Sequence, residues 1–149
     1  MKALLVMDIQ TGYLGKYDET LVERINQRIE EAFEQKEIII YVKNAKKLRG
    51  GVKIDDLEKD LFIRSSYILT KGTASVFSNE KLEQILKKNQ VTELEVIGID
   101  GNSCVASSAL DASRRGYQVI MPCEYIGVKN SERFEARKAL LAEQGIVLK

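Results

Sequence analysis

The sequence predicts a doubly wound α/β fold in which helices cover both faces of a mainly parallel, six-stranded sheet. Short apolar, β-branched segments alternate along the chain with longer segments whose apolar residues recur at helical spacing. This alternation is typical of βαβ units, whose right-handed crossovers place helices on both sides of a parallel sheet. Because 149 residues is the length of one ordinary domain, we expect a single domain, residues 1–149, with three α/β/α layers.

The first half of the chain supplies three strands and one helix. The apolar run of residues 3–7 predicts the first strand, and residues 17–36 carry leucine, isoleucine and alanine at helical spacing. Residues 37–42 include three consecutive isoleucines and predict a second strand buried on both faces. A shorter third strand is expected over residues 67–70.

The middle of the chain continues the alternation of helices and strands, and two glycines lie where a strand leads into the next helix. Ser78 is a candidate cap for a short amphipathic helix, and residues 94–99 form the next apolar strand. A helix over residues 102–115 follows, with small residues that allow close packing, and Gly116 ends it. The chain therefore turns from strand to helix through a glycine-containing loop just before Cys104.

The last segment adds two strands and one helix. Residues 117–121 predict a strand, and Asn130 or Ser131 is expected to cap a helix that stops at Gly145. Residues 146–148 form a final short strand. The complete pattern corresponds to a Rossmann-like arrangement, in which ligands bind beyond the carboxyl ends of the strands.

Composition restricts the classes of partner and compartment. The formal net charge of +1 argues against nucleic acid, which requires a basic face. The amino terminus has only five consecutive apolar residues before Asp8, too few for a signal peptide, and no run approaches transmembrane length. Two cysteines are too few for a disulfide framework. We expect a cytoplasmic protein that acts on a small molecule and has no membrane partner.

The absence of histidine is the most restrictive feature of the composition. It excludes catalytic triads that use imidazole, and it removes the commonest ligand of transition metals. The chain also has neither the glycine pattern of dinucleotide-binding loops nor a phosphate-binding Gly-Lys-Ser/Thr motif. We therefore expect no metal and no cofactor.

Three potentially reactive side chains follow or begin predicted elements at one edge of the sheet. Asp8 and Lys71 end strands, and Cys104 lies in the first turn of a helix. Each alone has an ordinary explanation, as a turn cap, a solvated lysine and a small buried residue. Together they indicate one crevice that holds a carboxylate, an ammonium and a thiol.

These three residue types suffice for nucleophilic catalysis. Asp8 accepts the thiol proton, while Lys71 and the positive end of the helix dipole favour the Cys104 thiolate. The thiolate attacks a carbonyl carbon, and Asp8 then protonates the leaving amine and activates water. We expect Cys104 to be the reactive thiol and Cys123 to be a packing residue.

Three blocks of sequence resemble the isochorismatase-like cysteine hydrolases, a family that includes nicotinamidases, N-carbamoylsarcosine amidases and ureidoacrylate amidohydrolases. The blocks are Leu-Leu-Val-Met-Asp-Ile-Gln at 4–10, Lys71 followed by Ser75 and Phe77, and Gly98 through Cys104-Val105 leading to Asp111-Ala112 and Gly116-Tyr117. They occur in the family's order and span nearly the whole chain.

The resemblance implies specific roles for residues of this site. It implies a catalytic triad of Asp8, Lys71 and Cys104, and an oxyanion hole formed by the backbone amides of Asp100 and Cys104. It also implies a cis peptide bond between Ile99 and Asp100. A homo-oligomer, either a dimer or a tetramer, is expected on the same basis.

The chain departs from the family pattern just before the cysteine. Gly101-Asn102 replaces the usual Thr-Asp, and Asp100 occupies a position that is normally small and apolar. An added carboxylate near the thiol is expected to oppose thiolate formation. The lack of histidine removes the metal site of nicotinamidases, which disfavours nicotinamide as substrate. Isochorismatase proper is disfavoured because that branch lacks the cysteine.

Three functions remain open on the sequence alone. The first is hydrolysis of a small amide or carbamoyl C–N bond through a Cys104 thioester. The second is a catalytically silent binding or assembly subunit that has lost turnover through the changes at Asp100, Gly101 and Asn102. The third is a flavodoxin-like nucleotide binder. The lysine- and arginine-rich segment from Lys43 to Lys53 is expected to be a solvated loop.

Overall fold

One sheet forms the middle layer of the fold. In the computed structural model, which describes Met1–Lys149, its strands are β1 (Lys2–Met7), β2 (Ile38–Leu48), β3 (Gly51–Ile54), β4 (Ile68–Lys71), β5 (Glu93–Ile99), β6 (Gln118–Met121), β7 (Ile126–Gly127) and β8 (Val147–Leu148). The strand order is β3-β2-β1-β5-β6-β8, with β4 also paired to β2 and β7 to β5. Only the β2–β3 pair is antiparallel. The predicted parallel α/β architecture is therefore confirmed.

Four α-helices form the two outer layers. They are α1 (Leu21–Glu34), α2 (Glu80–Lys88), α3 (Cys104–Arg114) and α4 (Ser131–Glu143), and two 3-10 helices cover Val76–Ser78 and Cys123–Tyr125. The apolar face of α1 packs in one core, and those of α2, α3 and α4 pack in the other. None of these helices is long and apolar enough to cross a membrane.

The central strand β1 is buried on both faces. Residues 3–7 are at most 1% exposed, and alternate residues contribute to the two cores. Burial of each large apolar side chain contributes about 1.5 to 3 kcal/mol to folding. A strand covered on both faces has a continuous apolar run, which explains why its sequence shows no alternation.

A buried ion cluster fixes α1 to the sheet. Arg28 Nε lies 2.6 Å from Glu95 Oε2 on β5, and Arg28 Nη2 lies 2.6 Å from Glu37 Oε1. Lys2 Nζ lies 2.9 Å from the other oxygen of Glu95. The two carboxylates and two cations neutralise one another, which is the condition for burying charges in a core.

Two short strands add to the six that were predicted. The segment from Lys43 to Lys53 is not a loop, because β2 runs on to Leu48 and turns through Gly50 into β3. This hairpin is exposed, and its apolar residues Leu48, Val52 and Ile54 are not buried, so no buried face marks it as sheet, and its many lysines favoured a solvated loop. The other addition, β7, has only two residues.

One helix start differs from the sequence expectation, and another agrees with it. Asn79, not Ser78, caps α2, with its side chain accepting a hydrogen bond from the Lys81 amide at 3.0 Å. Ser78 instead ends the preceding 3-10 helix, which Ser75 caps. At α4, the Asn130 side chain is the cap. Serine and asparagine are comparable capping residues, so adjacent candidates are separated only by backbone geometry.

Gly98 allows β1 and β5 to approach closely beside the edge where the site forms. Its φ is +111°, and a Cβ at this position would lie 2.2 Å from the Met7 carbonyl oxygen. No larger residue fits without moving the β1 backbone. The last residues of β1 and β5 are thereby held side by side, just before Asp8 and the Asp100 loop.

Candidate active site

Asp8 follows the last residue of β1 and points into the molecule. It is 4% exposed, and its backbone has a φ of +57°, in the left-handed region that aspartate tolerates better than most residues. Its amide donates to the Val42 carbonyl oxygen at 3.0 Å. The backbone is thus held by β2 while the carboxylate remains available for side chains.

Lys71 is the last residue of β4, and its side chain contacts the other polar groups of the site. Its Nζ lies 3.1 Å from Asp8 Oδ2, 3.1 Å from Cys104 Sγ and 3.0 Å from Asn44 Oδ1. An ammonium has three N–H donors, so all of them have an acceptor. The lysine reaches across β2 from the edge of the parallel sheet, and it is only 1% exposed.

The structure therefore brings Asp8, Lys71 and Cys104 into one cluster, from segments far apart in the sequence. Cys104 is the first residue of α3 and remains partly exposed, so a small molecule can reach it. The buried Asp8 Oδ1 has no hydrogen-bond partner. A buried acceptor without a partner is unfavourable, and here it is the free acceptor beside the thiol.

Burial dominates the electrostatics of the carboxylate. It raises the pKa of Asp8 above its ordinary value, more than the Lys71 charge and the nearby Cys104 thiol lower it. A higher pKa makes the carboxylate a stronger base toward the thiol and a better proton donor afterwards. The environment thus suits a carboxylate that can both accept and donate a proton.

The expectation that the site favours the Cys104 thiolate is wrong. Burial, followed by the negative charge of Asp8, raises the pKa of the thiol, and the opposing charge and hydrogen bond of Lys71 are weaker. The helix start and the nearby ammonium led to the opposite expectation because the depth of the site does not follow from sequence.

Two backbone N–H groups in the turn from β5 into α3 make no hydrogen bond within the chain. The amides of Asp100 and Cys104 have no acceptor within the chain, whereas those of Ser103 and Val105 donate to the Asp100 carbonyl oxygen at 3.0 and 3.1 Å. The peptide bond between Ile99 and Asp100 is cis. The turn from β5 into α3 thus leaves unpaired the two amides that the family resemblance implies.

The Asp100 carboxylate is fully engaged by other groups. Its Oδ2 accepts hydrogen bonds from the Tyr17 hydroxyl at 3.1 Å and the Lys129 amide at 3.0 Å, and its Oδ1 accepts from the Asn102 amide at 2.8 Å. Burial and the Asp100 charge raise the pKa of Tyr17, so the phenol stays a donor. The causes that raise the pKa of the Cys104 thiol are burial and the Asp8 charge, and Asp100 is not one of the main ones.

Two residues of the site were not identified from sequence. Asn44 accepts from Lys71, and the fully buried Gln10 holds Asn44 in place. The Gln10 side chain accepts from the Asn44 amide at 2.7 Å and donates to the Asn44 carbonyl oxygen at 3.2 Å. Gln10 belongs to the 4–10 block, which was a usable signal. Asn44 lies in the lysine-rich segment and gave none.

A cavity of about 390 Å³ opens beside the thiol. Asp8, Cys104 and the Asp100 loop form its floor, and α4 contributes Arg133 and Arg137 to its wall. This volume suits a small molecule. Cys123 lies outside it, is half-buried against the core, and has a pKa that burial raises.

The chain is similar to one family in particular. Residues 2–147 match the family model described as the isochorismatase domain. The uncharacterized isochorismatase family protein YaaI of Bacillus subtilis (strain 168) is 28% identical over 150 residues, which cover 88% of this chain and 83% of the relative.

Solved structures share the fold over almost the whole chain. An isochorismatase-like hydrolase from Alkaliphilus metalliredigens has a TM-score of 0.85 at 22% identity, covering 99% of this chain and 93% of that one. N-carbamoylsarcosine amidase from Thermoplasma acidophilum has a TM-score of 0.83 at 20% identity, with coverages of 99% and 95%. Pyrazinamidase of Pyrococcus horikoshii, in complex with zinc, has a TM-score of 0.80 at 20% identity, with coverages of 99% and 98%.

The residues of this chain do not fit a metal of that kind. No group of three or more histidine, cysteine, aspartate or glutamate side chains is placed to hold a metal ion. The carboxylate nearest the thiol, Asp8, is paired with Lys71.

Proposed function

The chain belongs to the isochorismatase family of hydrolases, and from that we propose that it cleaves a small amide or carbamoyl C–N bond through a thioester on Cys104. One observation carries the proposal. The thiol, the Lys71 ammonium and the Asp8 carboxylate are in contact beside two unpaired backbone amides and an open cavity. A binding module has no need for this combination.

Acylation begins with transfer of the thiol proton to Asp8. The sulfur attacks the carbonyl carbon, and the resulting oxyanion accepts hydrogen bonds from the amides of Asp100 and Cys104. Removing one such donor typically lowers the rate by about 10² to 10³. Lys71 keeps its hydrogen bonds to both partners, so a positive charge stays beside whichever of Asp8 and Cys104 is ionised.

The same carboxylate completes acylation as an acid and then serves deacylation as a base. Asp8 returns the proton to the leaving nitrogen, the C–N bond breaks, and an amine or ammonia departs from the thioester. Asp8 then takes a proton from water, whose oxygen attacks the thioester carbon. The C–S bond breaks, the proton passes to sulfur, and the acid product leaves.

The hydrogen bonds on Asp100 support an active hydrolase over a silent binding or assembly subunit. The silent alternative rests on the changes at Asp100, Gly101 and Asn102. Hydrogen bonds hold Asp100 and Asn102 in the loop, and Gly101 packs among side chains of the core that α3 and α4 cover. Cys104 and the cavity are left open.

We also propose that the protein works in the reducing cytoplasm as a homo-oligomer. Two unpaired cysteines support the compartment, and family resemblance supports the assembly. Light scattering on the purified protein measures the mass directly. A dimer or tetramer is expected, and a monomer at working concentration would contradict it.

Ammonia release from a panel of small amides and carbamoyl compounds tests the function. We expect at least one to be hydrolysed by wild type and by Cys123→Ala, and none by Cys104→Ala. Mass spectrometry of rapidly quenched reactions should find the acyl group on Cys104. Turnover that survives in Cys104→Ala would refute the thioester mechanism, and the Cys123→Ala variant controls for loss of a thiol as such.

A further inference from the structure

Three cationic side chains line the cavity beside Cys104 and have no carboxylate partner. Lys129, Arg133 and Arg137 all border it, and none forms an ion pair. Elsewhere the chain pairs many of its cations, including Lys138 with Glu135 on the same helix. Like charges around one small cavity repel one another, and the Asp100 carboxylate, which borders the same cavity without a cation partner, offsets only one of the three.

Both carboxylates that border the cavity already have partners within the protein. Asp8 forms an ion pair with Lys71, and the Asp100 carboxylate accepts three hydrogen bonds. The amino-terminal ends of α3 and α4 also border the cavity, at Cys104 and Asn130, and they add positive potential. The cavity therefore has an excess of positive charge.

The two arginines and the lysine are placed differently. Arg137 Nη1 donates to the Asn102 carbonyl oxygen at 2.9 Å, which ties this guanidinium to the loop beside the thiol, and its buried Nε has no acceptor. The Lys129 ammonium lies 5.8 Å from the centre of the Tyr17 ring. The Arg133 side chain is exposed and makes no hydrogen bond or ion pair within the chain. Arg133 is thus the cation with most freedom to meet a ligand.

The geometry points to a substrate whose amide is attached to a small acid, with its carboxylate bound by Arg133, Arg137 and Lys129 while its carbonyl lies over Cys104. This inference rests on the proposed function and names the substrate class. A guanidinium presents two parallel N–H donors that match a carboxylate. A cavity of about 390 Å³ accommodates such a molecule but not a polymer.

Charge selectivity at Cys104 tests the inference without knowledge of the substrate. Iodoacetate and iodoacetamide deliver the same alkyl group to sulfur, and only iodoacetate carries a carboxylate. We measure both alkylation rates at Cys104 by peptide mass spectrometry, in the folded protein and in urea. The iodoacetate-to-iodoacetamide rate ratio should be higher in the folded protein.

Substitutions then locate the source of the selectivity. Arg133→Gln should lower the folded-state ratio about threefold, as expected for one exposed charge contact, and Arg133→Lys should keep most of it. Arg114→Gln, which removes an exposed cation from the other end of α3, should leave it unchanged. A ratio no higher in the folded protein than in urea, or equal losses in Arg133→Gln and Arg114→Gln, would overturn the inference.

The two proposals fail in different ways. If Cys104 is not the nucleophile, Cys104→Ala retains amide hydrolysis whatever the alkylation ratios are. If only the acid substrate class is wrong, Cys104→Ala is inactive while iodoacetate shows no preference for the folded site.

Discussion

Asp8 acts on Cys104 in two opposite ways, which a single substitution separates. Asp8→Asn removes both proton transfers, so hydrolysis should fall by about 10² to 10⁴. It also removes the negative charge that raises the pKa of the thiol, so the pH profile of iodoacetamide labelling should move to lower pH. The variant should thus be more easily alkylated at neutral pH and yet hydrolytically impaired.

Thermal melting and circular dichroism of Asp8→Asn check that the fold is retained. Lys71→Ala is the complementary variant: it removes the cation that lowers the pKa of Cys104, so labelling should move to higher pH. Near wild-type hydrolysis by Asp8→Asn would remove Asp8 from the mechanism. A labelling profile that moves the same way in both variants would contradict the charge arrangement.

The raised pKa of Asp8 also sets the acid limit of activity. The carboxylate must be ionised to accept the thiol proton, and burial moves its protonation to higher pH than that of an exposed aspartate. The value of kcat/KM should therefore decline on acidification at a pH above the ordinary aspartate value of 3.8. A profile flat down to that pH would mean that another group is the base.

At the scale of elements, the contact between β1 and β5 depends on Gly98. In Gly98→Ala the added Cβ meets the Met7 backbone, and overpacking of this kind costs about 1 to 3 kcal/mol on top of the strain of a positive φ. Gly116→Ala is the matched control, because Gly116 also has a positive φ of +92° but has open space around its Cβ position. Urea unfolding should show the larger loss for Gly98→Ala.

The attachment of α1 depends on the buried Arg28 cluster. Arg28→Ala leaves Glu95, which is 5% exposed, with only Lys2 as a partner, and breaking a buried ion pair costs about 3 to 5 kcal/mol. Arg114→Ala removes an arginine from an exposed pair and should change the free energy of unfolding by about 1 kcal/mol at most. Equal effects in urea unfolding would show that the cluster does not stabilise α1.

At the scale of the whole molecule, activity should be independent of metal ions. The chain lacks histidine, and no three acidic or thiol side chains converge on one point. Dialysis against EDTA should leave the rate of ammonia release unchanged. Loss of activity that zinc or iron restores would contradict this, with buffer-dialysed protein as the control.

The sequence allowed the architecture to be predicted because each element has its own signal. The isoleucine run of β2 and the helical spacing in α1 depend on burial patterns that extend over many residues. The cluster of Asp8, Lys71 and Cys104 could be predicted as well, because the ends of neighbouring parallel strands meet at one edge of the sheet.

The features that were not predicted from the sequence depend on distances between segments that are far apart along the chain. The contact of Asn44 with Lys71 requires the register of β2 against β4, and the raised pKa of Cys104 depends on the depth of the cavity. The hairpin after Asn44 is held by backbone pairing of exposed residues and not by burial of an apolar face. The Asp100 carboxylate looked like a free charge because its donors come from positions 17 and 129.

The three hydrogen bonds of Lys71 also determine which electrophiles can modify this site. An amine forms an imine with an aldehyde only as the free base, with its lone pair exposed, and this ammonium is enclosed by Asp8, Asn44 and Cys104. Aldehydes and other glycating carbonyl compounds should therefore leave Lys71 unmodified, although they react with exposed lysines on the same surface. Within the cluster of Asp8, Lys71 and Cys104, lasting covalent chemistry is thereby confined to sulfur.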